Sequence, residues 1–159
     1  MSNLQAWDAN RAQALIQGLK HLPGALLPIL HAIQEEFGYV DAAATPLIAG
    51  ALNLSRAEVH GVISFYHDFR HAPAGKHVLR ICRAESCQAM GCDALIAHVE
   101  RRSGIQLGDT TSDGSLTVEQ VFCLGNCALS PAVMLDGEPY GRVSARVADF
   151  LIDSAQRAQ

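Results

Sequence analysis

Two pairs of cysteines constrain this chain more than any other feature. Cys82 and Cys87 stand in C-x4-C spacing, and after a gap of 35 residues Cys123 and Cys127 stand in C-x3-C spacing. "HVLRIC" alternates as a strand and ends on Cys82, and "SLTVEQVFC" reads as a strand that ends on Cys123. Each pair therefore begins where a strand gives out. If the two strands are neighbours in one sheet, four sulfurs converge at one sheet edge.

The rest of the chain divides in two. Up to residue 70 the pattern is helical. Trp7, Leu15, Ile16 and Leu19 lie near helical spacing between Ala6 and Lys20, and "HLPG" interrupts it. "ALLPILHAIQEEFG" places Leu26, Leu27, Leu30, Ile33 and Phe37 on one stripe, with Gly38 where a capping glycine belongs. Thr45-Pro46 reads as an N-cap and first helical residue for "PLIAGALNL", and Ser55 with Glu58 forms a capping-box pattern ahead of "VHGVISFYHDF". Residues 1–70 thus predict a small helical bundle. Phe65, Tyr66 and Phe69 at helical spacing read as core, with a docking face as the alternative.

Residues 71–76, rich in small residues, glycine and proline, read as a linker, and 77–159 as a second domain. There "MGCDALIAHVERRSG" is helical, "AVMLDGEPYGRV" is a hairpin turning at Asp136-Gly137, and "SARVADFLIDSAQ" is an amphipathic helix. The order β-α-β-β-β-α describes an α/β domain with a mixed sheet.

Composition narrows the chemistry. With 12 Lys and Arg against 16 Asp and Glu, the chain lacks the cationic excess that nucleic-acid binding needs. The N-terminus has no secretory h-region, and no apolar stretch approaches the roughly 20 residues that cross a bilayer. A cytoplasmic protein without membrane insertion is the expectation. Thiols stay reduced there, so an odd count of five cysteines points to metal or redox work rather than disulfides.

A thioredoxin-type dithiol needs C-x-x-C, which is absent. Structural zinc favours pairs at C-x2-4-C, which the second pair meets and the first slightly exceeds. A [2Fe-2S] cluster on four thiolates accommodates wider loops, and a Rieske centre is set aside because no histidine stands within three residues of these cysteines. Cys92 falls inside the predicted helix, turned away from Cys87, and reads as a packed residue. Gly125 and Asn126 tolerate positive φ, so their amides can turn toward a sulfur. Arg80, Arg83 and Arg142 are candidate cations near an anionic centre, or simply a solvated face. No G-x-G-x-x-G after a strand and no P-loop offers to hold a dinucleotide.

"GVISFYHDF" closing a helical unit, C-x4-C after a strand, and "CLGNCALSP" before a hairpin resemble the thioredoxin-like [2Fe-2S] subunit of NADH:quinone oxidoreductase and its relatives. Within that family, "ICRAESCQAMGCDAL" and "CLGNCALSPAVMLDGEPYGRV" look most like the gamma subunit of NAD-dependent, molybdenum-containing formate dehydrogenases. Similar subunits occur in NAD-reducing hydrogenases. The resemblance implies a thioredoxin-like second domain and a [2Fe-2S] cluster on Cys82, Cys87, Cys123 and Cys127. It also implies a diaphorase partner subunit with FMN, an NAD site and its own iron-sulfur cluster, and beyond that a molybdenum-containing formate dehydrogenase catalytic subunit. The chain itself would carry electrons without a catalytic residue of its own. A zinc-stabilised interaction module is the alternative from a different class.

Overall fold

The computed structural model describes residues 6–157. The chain divides into two compact units, Met1–Pro73 and Ala74–Gln159.

The first unit holds four helices: α1 (Ala9–Leu19), α2 (Leu26–Phe37), α3 (Ala44–Leu52) and α4 (Arg56–Phe65). Their apolar stripes meet in one core around Ile16, Ile29, Leu30, Ile33, Phe37, Ile48 and Val59, all essentially inaccessible to solvent. The cap of α1 is Asp8, whose carboxylate accepts from the Arg11 amide at 2.7 Å. Trp7, ahead of the helix, tilts against Phe37 with ring centroids 5.0 Å apart. Gly38 closes α2 in the left-handed conformation, as its position predicts.

Two expected boundaries move. Thr45 is not the cap of α3, which begins one residue earlier. Ala43 is the cap residue and has no polar side chain to cap with; Asp41 forms a turn ahead of it, its carboxylate accepting from the Ala43 amide at 2.8 Å and its carbonyl from the Ala44 amide at 2.9 Å, so the chain has turned before Thr45 is reached. Helix α4 stops at Phe65 instead of running on to Phe69, because Tyr66 turns extended. Gln34 draws the following segment back onto α2, donating to the Asp68 carbonyl at 2.6 Å and accepting from the Arg70 amide at 2.7 Å. The three aromatics stay in edge contact, Phe65 with Tyr66 at 5.1 Å and Tyr66 with Phe69 at 6.2 Å between ring centroids, but differ in burial. Phe69 is buried in the core, whereas Phe65 is 73% and Tyr66 44% exposed.

Both halves of the capping box of α4 are formed, Ser55 Oγ accepting from the Glu58 amide and the Glu58 carboxylate from the Ser55 amide. Ser55→Ala should lower unfolding free energy by about 1 kcal/mol without touching the second unit. Denaturant unfolding followed by circular dichroism measures it, and an unchanged midpoint would count against the cap's contribution.

The second unit is a four-stranded mixed sheet in the order β2-β1-β3-β4, with β1 (His77–Cys82), β2 (Leu116–Val121), β3 (Val133–Leu135) and β4 (Glu138–Tyr140). Strands β1 and β2 are parallel, so the chain crosses between them through α5 (Glu85–Ala89) and α6 (Cys92–Ser103). Antiparallel β3 and β4 complete the sheet, and α7 (Ala145–Arg157) packs with α6. Leu79, Ile81, Val99, Leu116, Val118, Leu151 and Ile152 form the buried interior.

The β3–β4 turn falls at Asp136 and Gly137, both at positive φ (51° and 90°), the combination a tight hairpin requires. Asp136 also ties the turn to β1, accepting from the Val78 amide at 2.8 Å. The helix expected from Met90 is broken there: α5 ends at Ala89, Gly91 takes φ 87°, and α6 starts at Cys92. Among the described residues, no helix is long and apolar enough to cross a membrane.

Candidate metal centre

The parallel register sets Cys82 opposite Val121, so both strands end at the same edge of the sheet. Cys123 lies two residues past β2 rather than at its end, because the strand stops at Val121. Pairing continues one step further through Arg83, whose amide donates to the Val121 carbonyl at 2.8 Å. From the other side the Cys82 amide donates to the Ala132 carbonyl at 3.1 Å, so the segment after the second cysteine pair is held against β1 as well.

Cys87 sits in the middle of the short helix α5 and is buried together with Cys82. Cys123 and Cys127 are solvent-exposed. Cys127 opens a 3-10 turn ending at Leu129, and its sulfur lies 3.9 Å from that of Cys123. The site therefore has a buried half, carried by β1 and α5, and an exposed half, carried by the loop after β2.

Backbone amides are aimed at these sulfurs. Burial pushes the Cys82 thiol up. The amides of Ala84, Leu124 and Cys123, with the Cys87 thiol, outweigh burial and hold Cys82 below the ordinary thiol range. The Gly125 amide donates to Cys123 Sγ at 3.3 Å. Gly125 reaches this position at φ 73°, as its type allows, but the expected partner Asn126 does not: it has φ −106°, and Cys123 itself takes φ 104°. A side-chain-bearing residue in that region is strained by roughly 1–3 kcal/mol, here to swing the loop amides inward. Contact with Cys123 pushes the Cys127 thiol up.

Cys92 is fully buried as the first residue of α6, packed with Cys82, Cys87 and Ala132. Burial, then the neighbouring Asp93, raises its thiol above the ordinary range. It shares the apolar floor of the site without entering the two spaced pairs. Of the candidate cations, Arg80 pairs with Glu119 at 3.1 Å, and Arg83 reaches Gln120 at 3.0 Å and Asp93 at 3.8 Å. Both have particular partners, yet their side chains remain more than a third exposed, on a solvated face. Arg142 takes φ 52° and donates its amide to the Leu129 carbonyl at 2.6 Å, bracing the end of the cysteine loop.

Two hydroxyls escaped the sequence reading, Ser86 and Ser130, which lie 2.8 Å apart beside Cys87. Their adjacency to Cys87 and Pro131 in sequence was the only available signal. Serine is too common in loops for that to decide anything.

Among the described residues, no three His, Cys, Asp or Glu side chains gather as a single metal ion needs. A [2Fe-2S] rhomb asks for something different, two thiolates for each of two irons, with N–H groups toward its sulfurs. Two cysteine pairs at one edge, with four amide donors already directed at Cys82 and Cys123, fit that requirement.

Comparison with known proteins agrees with this chemistry. The chain is 35% identical over 119 residues to a component of the NADH-quinone oxidoreductase of Pseudomonas aeruginosa, covering 75% of this chain and 72% of that protein. It is 33% identical over 129 residues to the HndA component of the NADP-reducing hydrogenase of Solidesulfovibrio fructosivorans, covering 81% and 75%. Among solved structures, the air-oxidised NAD+-reducing [NiFe]-hydrogenase aligns at TM-score 0.68 and 29% identity over 84% of this chain, which spans 23% of that hydrogenase chain. The model of the thioredoxin-like [2Fe-2S] ferredoxins matches residues 12–156, taking in both units and all four paired cysteines. The chain belongs to the thioredoxin-like [2Fe-2S] ferredoxin family, and its cofactor is a [2Fe-2S] cluster.

Proposed function

We propose that Cys82, Cys87, Cys123 and Cys127 hold one [2Fe-2S] cluster, and that the chain is a one-electron carrier subunit of a cytoplasmic NAD-dependent formate dehydrogenase. In this reading residues 77–159 carry the cluster, 71–76 link, and the helical unit 1–70 serves assembly. Electrons pass to or from an FMN- and NAD-binding diaphorase subunit with its own iron-sulfur cluster, and a molybdenum-containing subunit oxidises formate.

The observation that carries the proposal is the sheet edge itself, where two parallel strand ends bring the cysteine pairs together under amide donors. When bound, the cluster supplies a site that takes up and gives back a single electron. The protein's part is to hold four deprotonated sulfurs and to offset the added negative charge with N–H groups from Ala84, Leu124, Cys123 and Gly125. The exposed pair offers the shorter route outward, since Cys123 and Cys127 reach solvent while Cys82 and Cys87 do not.

A second reading, the equivalent subunit of an NADH-quinone oxidoreductase or NAD-reducing hydrogenase, is favoured by the names of the relatives. Formate membership rests on the sequence resemblance around the two cysteine pairs.

Purified protein should be reddish, contain two irons per chain, and on reduction give one [2Fe-2S] EPR signal. Zinc in place of iron would overturn the ligand proposal. In the complex isolated with its partners, cluster reduction by formate, but not by hydrogen, selects formate dehydrogenase; reduction by hydrogen selects the hydrogenase.

A further inference from the structure

Ser130 is a buried polar residue, 8% exposed, beside Cys87. Its hydroxyl and that of Ser86 both reach the Cys127 carbonyl, at 2.8 and 3.2 Å, and the Cys87 thiol lies 3.4 Å from Ser130 Oγ. A free Cys87 thiol donates to Ser130. A metal ligand is the thiolate and has no proton to give. The contact then survives only if Ser130 becomes the donor.

Counting protons shows how that is possible. Two hydroxyl protons face three acceptors, the Cys127 carbonyl, Cys87 Sγ and the oxygen of the facing hydroxyl 2.8 Å away, and the Cys127 carbonyl also accepts from the Ser130 amide at 3.3 Å. Ser86 can donate to the carbonyl at 3.2 Å or to Ser130 Oγ at 2.8 Å, and with the carbonyl held by Ser86 or by the Ser130 amide the Ser130 proton is released to the sulfur.

We propose that in the cluster-bound protein Ser130 donates a hydrogen bond to Cys87 Sγ and raises the cluster's reduction potential, with Ser86 as the positioning residue that frees the Ser130 proton. The inference rests on Cys87 being a ligand, as proposed above. Reduction adds an electron and increases negative charge on the ligand sulfurs, so a fixed donor stabilises the reduced state more than the oxidised one. Burial of Ser130 strengthens the effect by keeping water from replacing the donor.

The test is an EPR-monitored redox titration of the full-length, cluster-loaded chain in Ser130→Ala, Ser130→Thr, Ser86→Ala and wild-type forms. Ser130→Ala should reduce the equilibrium constant for reduction roughly two- to tenfold, a negative shift of at most about 59 mV for a one-electron couple. Ser130→Thr should restore the wild-type midpoint. Ser86→Ala should shift the same way by less, because the remaining proton is then shared between carbonyl and sulfur. A wild-type midpoint in Ser130→Ala at full iron content overturns the inference, as does Ser130→Thr behaving like Ser130→Ala. Should Ser130→Ala assemble no cluster, Ser86→Ala decides, and an unshifted midpoint there overturns it. The ligand assignment fails separately, and this inference with it, if Cys87→Ser keeps an unaltered cluster spectrum.

Discussion

Cys82→Ser is expected to abolish stable cluster binding while Cys92→Ser leaves it intact, although both cysteines are buried within one apolar patch. Cys82 receives the amides of Ala84, Leu124 and Cys123 and faces the Cys87 thiol, so it is where the two halves of the site are joined. A serine there offers a much weaker ligand and leaves three amides directed at an oxygen set back from where the sulfur stood. Changing partners that merely support a metal ligand costs about 10–100-fold in affinity, and losing the ligand itself should cost more. Iron content and the EPR signal should therefore collapse, while circular dichroism retains the signal of the separate four-helix core. Cys92→Ser should keep two irons per chain and an unchanged spectrum. Its cost appears in stability, about 1–3 kcal/mol, because a hydroxyl is placed in a fully buried position among Cys82, Cys87 and Ala132. Equal iron loss in both variants would contradict the division between ligands and floor.

The contrast also shows what the sequence could and could not convey. Strand periodicity was enough to place Cys82 at a strand end and Cys123 just beyond one, two residues past the end of β2, because alternation is a local property. That β1 and β2 are adjacent and parallel was not local; it depends on how α5 and α6 cross the sheet. The capping box at Ser55 was legible for the same reason of short range. Thr45 misled because Asp41, upstream of the expected helix, turns the chain through its own carboxylate and carbonyl. "FYHDF" misled because Gln34, more than 30 residues earlier in sequence, pulls residues 68–70 out of helical geometry. At the site, residue type pointed correctly to Gly125 but wrongly to Asn126. The loop takes its second positive φ at Cys123, a strain that no propensity scale would assign to cysteine.

Gly141→Ala should damage the cysteine loop from outside it. Gly141 follows β4, and an added Cβ would fall against Leu129 Cβ well inside contact distance, 3.0 Å from the Leu129 carbonyl oxygen and 3.1 Å from Asn126 Nδ2. Neither side can yield cheaply. Leu129 ends the turn that Cys127 begins, and its carbonyl already accepts from the Arg142 amide at 2.6 Å, which fastens the exit of β4 to this turn. Relief therefore requires residues 126–129 to move as a piece, carrying Cys127 away from Cys123, now 3.9 Å off at sulfur. Overpacking of this kind costs about 1–3 kcal/mol in stability, and in this place the displaced atom is a proposed ligand. The variant should unfold at lower denaturant concentration and lose its visible absorbance to a chelator several-fold faster than wild type. Gly125→Ala supplies the comparison, since its Cβ would enter open space and its cost comes from φ 73° alone, about 1 kcal/mol. If Gly141→Ala releases iron no faster than wild type, the hairpin is not what holds Cys127 in place.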